Sequence, residues 1–510
     1  MVETAACPPP VARRLVQLTE LQYVSSLRAL LGSNAVKQDG APQAETKPFT
    51  SLGVVPTTAS LNTQLNWSEQ AVATLLGQEL TASGCEADPS DACAQKFLKD
   101  FAAKAFRRPA LDAEVADLMQ VFQGAKAGGD FAGALRLAVQ AALSAPSFAY
   151  RTELGKDDGQ GHFVLTPHEL AQELSYFLSD APPDAELRAA ADSGQLSEPA
   201  ELEKQLSRLL ELPAVRRSLT ATMLAAWRVS NLFGSSKDPT AFPQFNPQLA
   251  ASMYQETRRF VDDVLWQRAA PISELLTSRE TFVDASLASL YGVPYTGGAD
   301  GAFVKVTLPA AQRSGLLTQA SLMSALSRTD QTSVVARGLF VRGALLCLPK
   351  VPQPPANLAP AIEAQLKADM TEKERAEYRA TTDPCRNCHR NFDPFGLLLE
   401  AYDPIGRYRT EIKGVPVDAS MDLSGLGSFQ GSIAGAAQMA EVAATSPEFS
   451  ACIARNLAAY ATSDDALTTS ACQLQKLTAE LPEGSPTFSQ VVTAVAKSGL
   501  LSLRAQEGAK

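Results

Sequence analysis

Cys385-Arg386-Asn387-Cys388-His389, followed by Asp393-Pro394-Phe395-Gly396 and Asp403-Pro404-Ile405-Gly406-Arg407, is the most specific stretch of the chain. Two thiols at this spacing, at the start of a helix, reach the two vinyl groups on one edge of a porphyrin. The next residue's imidazole then stands under the iron. Cys-x-x-Cys-His is accordingly the attachment signature of a c-type haem. It assigns Cys385 and Cys388 as anchors, His389 as the proximal iron ligand, and one covalent haem c as cofactor. Two plainer readings accompany it. The thiols can form a dithiol or disulfide redox pair with an incidental His, or they can be half of a zinc site. Zinc needs two more ligands, and His162 and His168 lie far upstream with no Cys or His partner at ligand spacing.

Working outward, the second axial ligand decides function more than the fold does. Met421 and Met439 follow His389 at separations reminiscent of small cytochromes c, and Met421 ranks first because it sits in a Ser/Gly-rich loop. Tyr378, His162 and His168 are lesser candidates, and an open or water-bound iron is a further alternative. Arg407 and Arg409 have the planar geometry to pair with haem propionates; the competing reading pairs them with Glu400 or Asp403. The two Asp-Pro segments are turn chemistry, with Phe395 and Leu397 to Leu399 excluding water from a haem edge.

Composition bounds the rest. The chain has 510 residues, 45% hydrophobic and 20% charged, with a net charge of −10, as in ordinary globular proteins. No Lys/Arg block is present, which argues against nucleic acid as a partner. The apolar run at 131–150 contains Arg136 and Pro146, so it reads as a buried helix and not a transmembrane segment. Beyond the motif, Cys7, Cys85, Cys93, Cys347, Cys452 and Cys472 make an even set that suits disulfides in an oxidising compartment. Cys85/Cys93 would close a short loop, Cys452/Cys472 would tie two C-terminal helices, and Cys7/Cys347 remain by elimination; buried free thiols are the alternative. The expected location is extracytoplasmic: periplasm, outer-membrane surface or secreted. The export signal itself is absent, since Met1-Val-Glu-Thr-Ala-Ala-Cys has neither a basic nor an apolar region.

Helical periodicity dominates the chain. Thr19 caps a helix bearing Tyr23, Leu27, Leu30 and Leu31 that stops at Gly32, and 33–65 reads as irregular surface chain. Phe97, Phe101 and Phe106 share a face, and Arg107-Arg108-Pro109 reads as a solvated helix end. Thr166, Pro167 and Glu169 form a capping box ahead of Leu170, Leu174 and Phe177. His168 in that first turn reads as a surface or capping residue, and Trp227 and Trp266 as core. Phe303 to Leu308 alternates and predicts an isolated strand; Val415-Pro416-Val417-Asp418 predicts a short extended piece. A Pro-rich spacer (349–355) and a charged helix (362–378) lead to the Cys motif. The fold class is mainly α: successive helical modules, a c-type-haem-like module towards the C-terminus, and few short strands. The expected boundaries are 8–75, 88–153, 160–295, 300–412 (with the motif) and 413–505.

The ordered motifs resemble a known family. They run from Arg14-Leu15, Thr19 and Tyr23 through Phe106-Arg107-Arg108-Pro109, Pro146-Ser147-Phe148 with Arg151 and Glu153, and Leu174-Ser175-Tyr176-Phe177-Leu178. Leu290-Tyr291-Gly292, Gly315-Leu316-Leu317-Thr318-Gln319 and Arg337-Gly338 then precede the Cys motif, and Asp393 through Arg409 follow it. In this order they are similar to the planctomycete- and myxobacterial-type PSD proteins, built from domains of unknown function 1587, 1595, 1592, 1588 and 1585. The resemblance spans nearly the whole chain and implies an exported protein with one covalent haem at Cys385, Cys388 and His389; it carries no settled reaction. Two positions depart from the pattern. Tyr378 stands near where many members have a His, and Glu173 replaces the Arg of Arg-Leu-Ser-Tyr. The leading expectation is an exported monohaem c-type cytochrome that exchanges electrons with a redox partner protein. The alternatives are a haem-dependent oxidase or peroxidase, and a non-catalytic envelope or surface-assembly protein with a Cys385–Cys388 disulfide.

Overall fold

The computed structural model describes residues 11–36, 57–85, 87–298, 301–351, 370–463, 471–482 and 484–506. The chain is mainly α, and among the described residues its strands form two- and three-stranded sheets. It divides into two compact units, one of residues 1–219, 458–476 and 495–510, the other of 220–457 and 477–494.

The first unit opens with β1 (Arg14–Gln17) and α1 (Glu20–Leu31). Thr19 caps α1 as expected: its Oγ1 accepts from Gln22 N at 3.1 Å, and Gln22 Oε1 accepts from Thr19 N. Burial of Tyr23, Val24, Leu27 and Leu31 contributes about 1.5–3 kcal/mol per large side chain. Next come α2 (Thr58–Ser83), α3 (Asp91–Ala105), α4 (Asp112–Lys126) and α5 (Phe131–Ser144), around one apolar core. The last part of the stretch expected to be irregular is therefore helical. Its buried face runs through Gln64, Trp67, Ser68, Ala71 and Val72, and two polar members hide the helical period. They serve Tyr23, whose hydroxyl lies 2.6 Å from Ser68 Oγ and is pushed up to about 12 by burial.

Strand β2 (Tyr150–Glu153) pairs antiparallel with β1. β3 (His162–Val164) is the middle strand of a sheet completed by Lys156–Asp157 and Leu503–Ala505. The Thr166–Glu169 capping box starts α6 (Pro167–Ser179), which is buried on nearly every side. Arg107 differs from its expectation. It is not a solvated helix end: it is buried, at φ 59°, and donates to the carbonyls of Ala105, Ser147, Phe148 and Tyr150 and to Gln172 Oε1. A chain turning back at a helix end leaves carbonyls without partners, and one guanidinium satisfies several of them.

The second unit contains α7 (Pro247–Asp262), followed by the hairpin-like pair β4 (Glu280–Val283) and β5 (Val304–Thr307). The alternating segment is thus a strand, but a paired one, with Lys305 opposite Phe282. Then follow α8 (Ala320–Ala325), α9 (Val334–Phe340), α10 (Glu372–Thr381), α11 (Arg386–His389), α12 (Asp393–Leu397), β6 (Ser420–Asp422), β7 (Ser432–Ala434) and α13 (Gly435–Ala444). The predicted extended piece pairs as Val415–Pro416 with Glu411–Ile412. Trp227 and Trp266 are buried, as expected. The spacer beyond 351 and the charged helix before 370 lie outside the described residues.

Cys85 and Cys93 are bonded as anticipated, whereas Cys347 is joined to Cys452. The expected Cys452/Cys472 and Cys7/Cys347 pairs are therefore corrected. Cys472 is also oxidised, to a partner other than Cys452, and Cys7 lies outside the described residues. Sequence proximity misled because disulfide formation follows Cα separation in the fold, here 5.2 Å across 105 residues. Closing that loop constrains the unfolded chain by about 4.7 kcal/mol in the chain-entropy account, against about 2.5 kcal/mol for the short Cys85–Cys93 loop. Non-reducing denaturant titrations should therefore show a larger loss for Cys347→Ser/Cys452→Ser than for Cys85→Ser/Cys93→Ser. Equal losses would contradict that ranking.

Candidate functional site

The Cys motif forms the short helix α11, with Cys385 as its N-cap residue. Cys388 N and His389 N both donate to Cys385 O, at 3.1 and 3.0 Å, so both cysteines and the imidazole share one turn. Cys385 and Cys388 remain thiols, while every other described cysteine is in a disulfide. Cys385 is buried and Cys388 is half-buried.

His389 is held from two sides. Its ring lies 4.9 Å from that of Phe392, and its Nδ1 is 3.0 Å from Asp393 Oδ2. The same carboxylate oxygen accepts from Arg379 Nε at 2.8 Å. Asp393 is wholly buried. Arg379 comes from α10 and Asp393 from the first turn of α12, so the helices on either side of the motif meet at its histidine. Neither residue stood out in the sequence as a partner of His389. The available signal was the four-residue spacing of His389 and Asp393, which places side chains within reach of each other on helical chain.

The position of α12 is set by glycine. A Cβ added to Gly396 would lie 1.8 Å from Val334 O, and one added to Gly338 would lie 2.0 Å from Phe392 O. Helices α9 and α12 thus cross with backbone against backbone. Beside this crossing, the buried Arg337 donates through Nη1 to Leu399 O and Tyr402 O and through Nη2 to Asp403 O. Burial pushes its guanidinium down to about 10.

The other candidates fall into place around this frame. Phe395 is fully buried, its ring 5.5 Å from Phe429 in an edge-on contact, and Leu397 to Leu399 are buried with it. Met421, in β6, is half-buried against Val334, Ala376 and Leu397, which belong to α9, α10 and α12. Met439 is fully buried in α13, which packs against Glu274–Thr277 and Leu316–Thr318. Arg407 binds Asp403 Oδ2 through Nε at 2.6 Å, and Arg409 binds Glu400 Oε1, so the fold supplies the internal ion pairs. Tyr378 is half-buried on α10. His162 and His168 belong to the other compact unit, where they face Asp158 and Asp192.

A covalent haem suits this donor set. Two thiols and an imidazole sit in one turn, and the imidazole's Nδ1 is already engaged, which leaves Nε2 for iron. A bare metal ion would need a cage, and no group of three or more His, Cys, Asp or Glu among the described residues could provide one. Nor is any helix among the described residues long and apolar enough to cross a membrane.

Three family models match the chain, in the order expected. PSD5, a protein of unknown function (domain 1595), matches 93–153; PSD4, of unknown function (domain 1592), matches 165–293; PSCyt3, of unknown function (domain 1588), matches 313–412. The fold and site thus define a mainly helical protein with a Cys-x-x-Cys-His module, in which three domains of the PSD series, 1595, 1592 and 1588, follow one another. The PSCyt3 match spans α9 to α12 and the whole Cys motif. No curated protein and no solved structure matches the chain.

The glycine crossing makes a sharp prediction. Gly396→Ala or Gly338→Ala forces a methyl into a carbonyl oxygen and should cost at least about 1–3 kcal/mol of unfolding free energy. Gly343→Ala, whose Cβ would meet nothing within 4 Å, should stay within about 0.5 kcal/mol of wild type in the same denaturation assay.

Proposed function

We propose that the chain is an exported redox protein carrying one covalent haem c, held by thioethers to Cys385 and Cys388 and ligated by His389. In this reading it passes electrons to or from a partner protein. The observation that carries the proposal is the sorting of the cysteines: two remain thiols, one turn apart beside a histidine, in a chain whose other described cysteines are oxidised. The disulfides are consistent with an oxidising compartment, where covalent haem attachment also occurs. The cytochrome abbreviation in the short name of the PSCyt3 match, which spans the motif, points the same way.

When bound, the haem supplies one-electron oxidation and reduction. The chain's own residues supply the rest. Asp393 and Phe392 orient the His389 ring, while Phe395 and Leu397 to Leu399 keep water out of the core behind the motif. Met421 would help hold the haem from the side of β6, because it packs against the helices that flank the motif. Arg407 and Arg409 hold Asp403 and Glu400, and so fix the turn after α12.

A second reading, a haem-dependent oxidase or peroxidase, is favoured by the carboxylate on His389, since an anionic partner suits a reactive iron more than a high-potential carrier. The third, a structural protein with Cys385 bonded to Cys388, draws no support from the two thiols at the motif.

Matured in a periplasm that attaches haem, the full chain should gain the mass of one haem and keep a haemochrome spectrum after denaturation in pyridine. Cys385→Ala/Cys388→Ala should gain neither. Carbon monoxide separates the two haem readings: a methionine-ligated ferrous iron resists it, and an open one binds it at once. A colourless wild-type chain with unchanged mass overturns both.

A further inference from the structure

His389 is gripped by a carboxylate that the chain has gone to some length to bury. Asp393 is fully inaccessible to solvent, and its Oδ2 carries both contacts, 3.0 Å to His389 Nδ1 and 2.8 Å to Arg379 Nε. Its Oδ1 has no hydrogen-bond partner among the described residues. A carboxylate paired with a guanidinium is an acceptor only. In the neutral imidazole the nitrogen facing it must therefore be the one that bears the proton, and Nε2 keeps the lone pair. The glycine crossing fixes α12, and α12 fixes Asp393, so this orientation exists before any cofactor arrives.

We propose that Asp393 is the positioning residue of the module: it locks His389 as the Nδ1–H tautomer, presents Nε2 as the ligand atom, and gives the ring anionic character. The proposal rests on the haem reading for its consequence, because a more basic histidine favours ferric over ferrous iron and lowers the reduction potential. Arg379 opposes this effect. It shares Oδ2 with His389 and withdraws part of the charge the ring would otherwise feel, so the two residues set the potential in opposite directions.

Partners of this kind shift ligand strength by at least tenfold, and a tenfold change in the ferric-to-ferrous preference is about 59 mV for a one-electron couple. In the haem-bearing full chain, Asp393→Asn should raise the midpoint potential by about that amount. Arg379→Gln should lower it. A merely structural ion pair predicts unfolding or nothing, and potentials unmoved in both folded variants overturn the proposal.

The tautomer is measured separately, on the full chain expressed without haem attachment and labelled with ¹⁵N-histidine. The chain has three histidines, and His389→Gln identifies the ring. The expected wild-type signal is Nδ1-protonated, with mixed tautomers in Asp393→Asn; an Nε2-protonated wild-type ring overturns the proposal even if Asp393→Asn fails to fold. A chain that never takes up haem sinks the redox reading and leaves this measurement to decide the role of Asp393. A chain that carries haem at a potential indifferent to both variants sinks the role of Asp393 alone.

Discussion

The contact between two backbones, Gly396 against Val334 O and Gly338 against Phe392 O, is the constraint on which the rest of the Cys-motif module depends. No side chain separates α9 from α12 there, so neither helix can slide without a carbonyl meeting a Cα. Arg337, the residue before Gly338, reaches over the crossing and gathers the carbonyls that α12 leaves behind at Leu399, Tyr402 and Asp403. Leu399 O also accepts from Tyr402 N and Asp403 O from Gly406 N, so the guanidinium is a second donor to carbonyls of the turns that follow α12. Crossing and guanidinium together fix the first turn of α12, and with it the carboxylate that orients His389.

The first unit solves a comparable problem with charge. Arg151 meets Glu173 at 2.8 Å, Arg504 meets Glu153 at 2.7 Å, and Arg14 meets Glu153 at 2.9 Å. These pairs join β1, β2, α6 and the C-terminal strand within that unit. Burial works against the Glu153 carboxylate, yet Arg504, Arg14 and Arg151 hold its pKa well down; burial pushes that of Glu173 up. Glu173 thus has a structural partner in Arg151. Loss of one member from such a buried set is destabilising because it strands the others.

Much of this architecture was legible in the sequence, and the illegible part has a common cause. The helix starts at Thr19 and Thr166 were readable because capping is local chemistry: the side chain and the amide it satisfies lie three positions apart. Cys85–Cys93 was readable for the same reason. What escaped is polar and long-range. Arg107 looked like a solvated helix end because its partners at 147–150 lie forty positions on. The first turns of α2 looked irregular because Gln64 and Ser68 occupy its buried face. Cys347–Cys452 and the β4–β5 pairing depend on contacts that no local pattern encodes. At the site, the three motif residues stood out by their spacing, whereas Asp393 read as a turn residue and Arg379, one position past the helix expected over 362–378, was not singled out.

The central claim is that this fold separates two cysteines for a cofactor from the cysteines it oxidises. Peptide mapping by tandem mass spectrometry, on unreduced full-length protein matured with haem-attachment machinery, tests it most directly. The account predicts haem on both Cys385 and Cys388 of one peptide, together with intact Cys85–Cys93 and Cys347–Cys452 cross-links. A peptide in which Cys385 and Cys388 are joined to each other, or to any of those four, would contradict it.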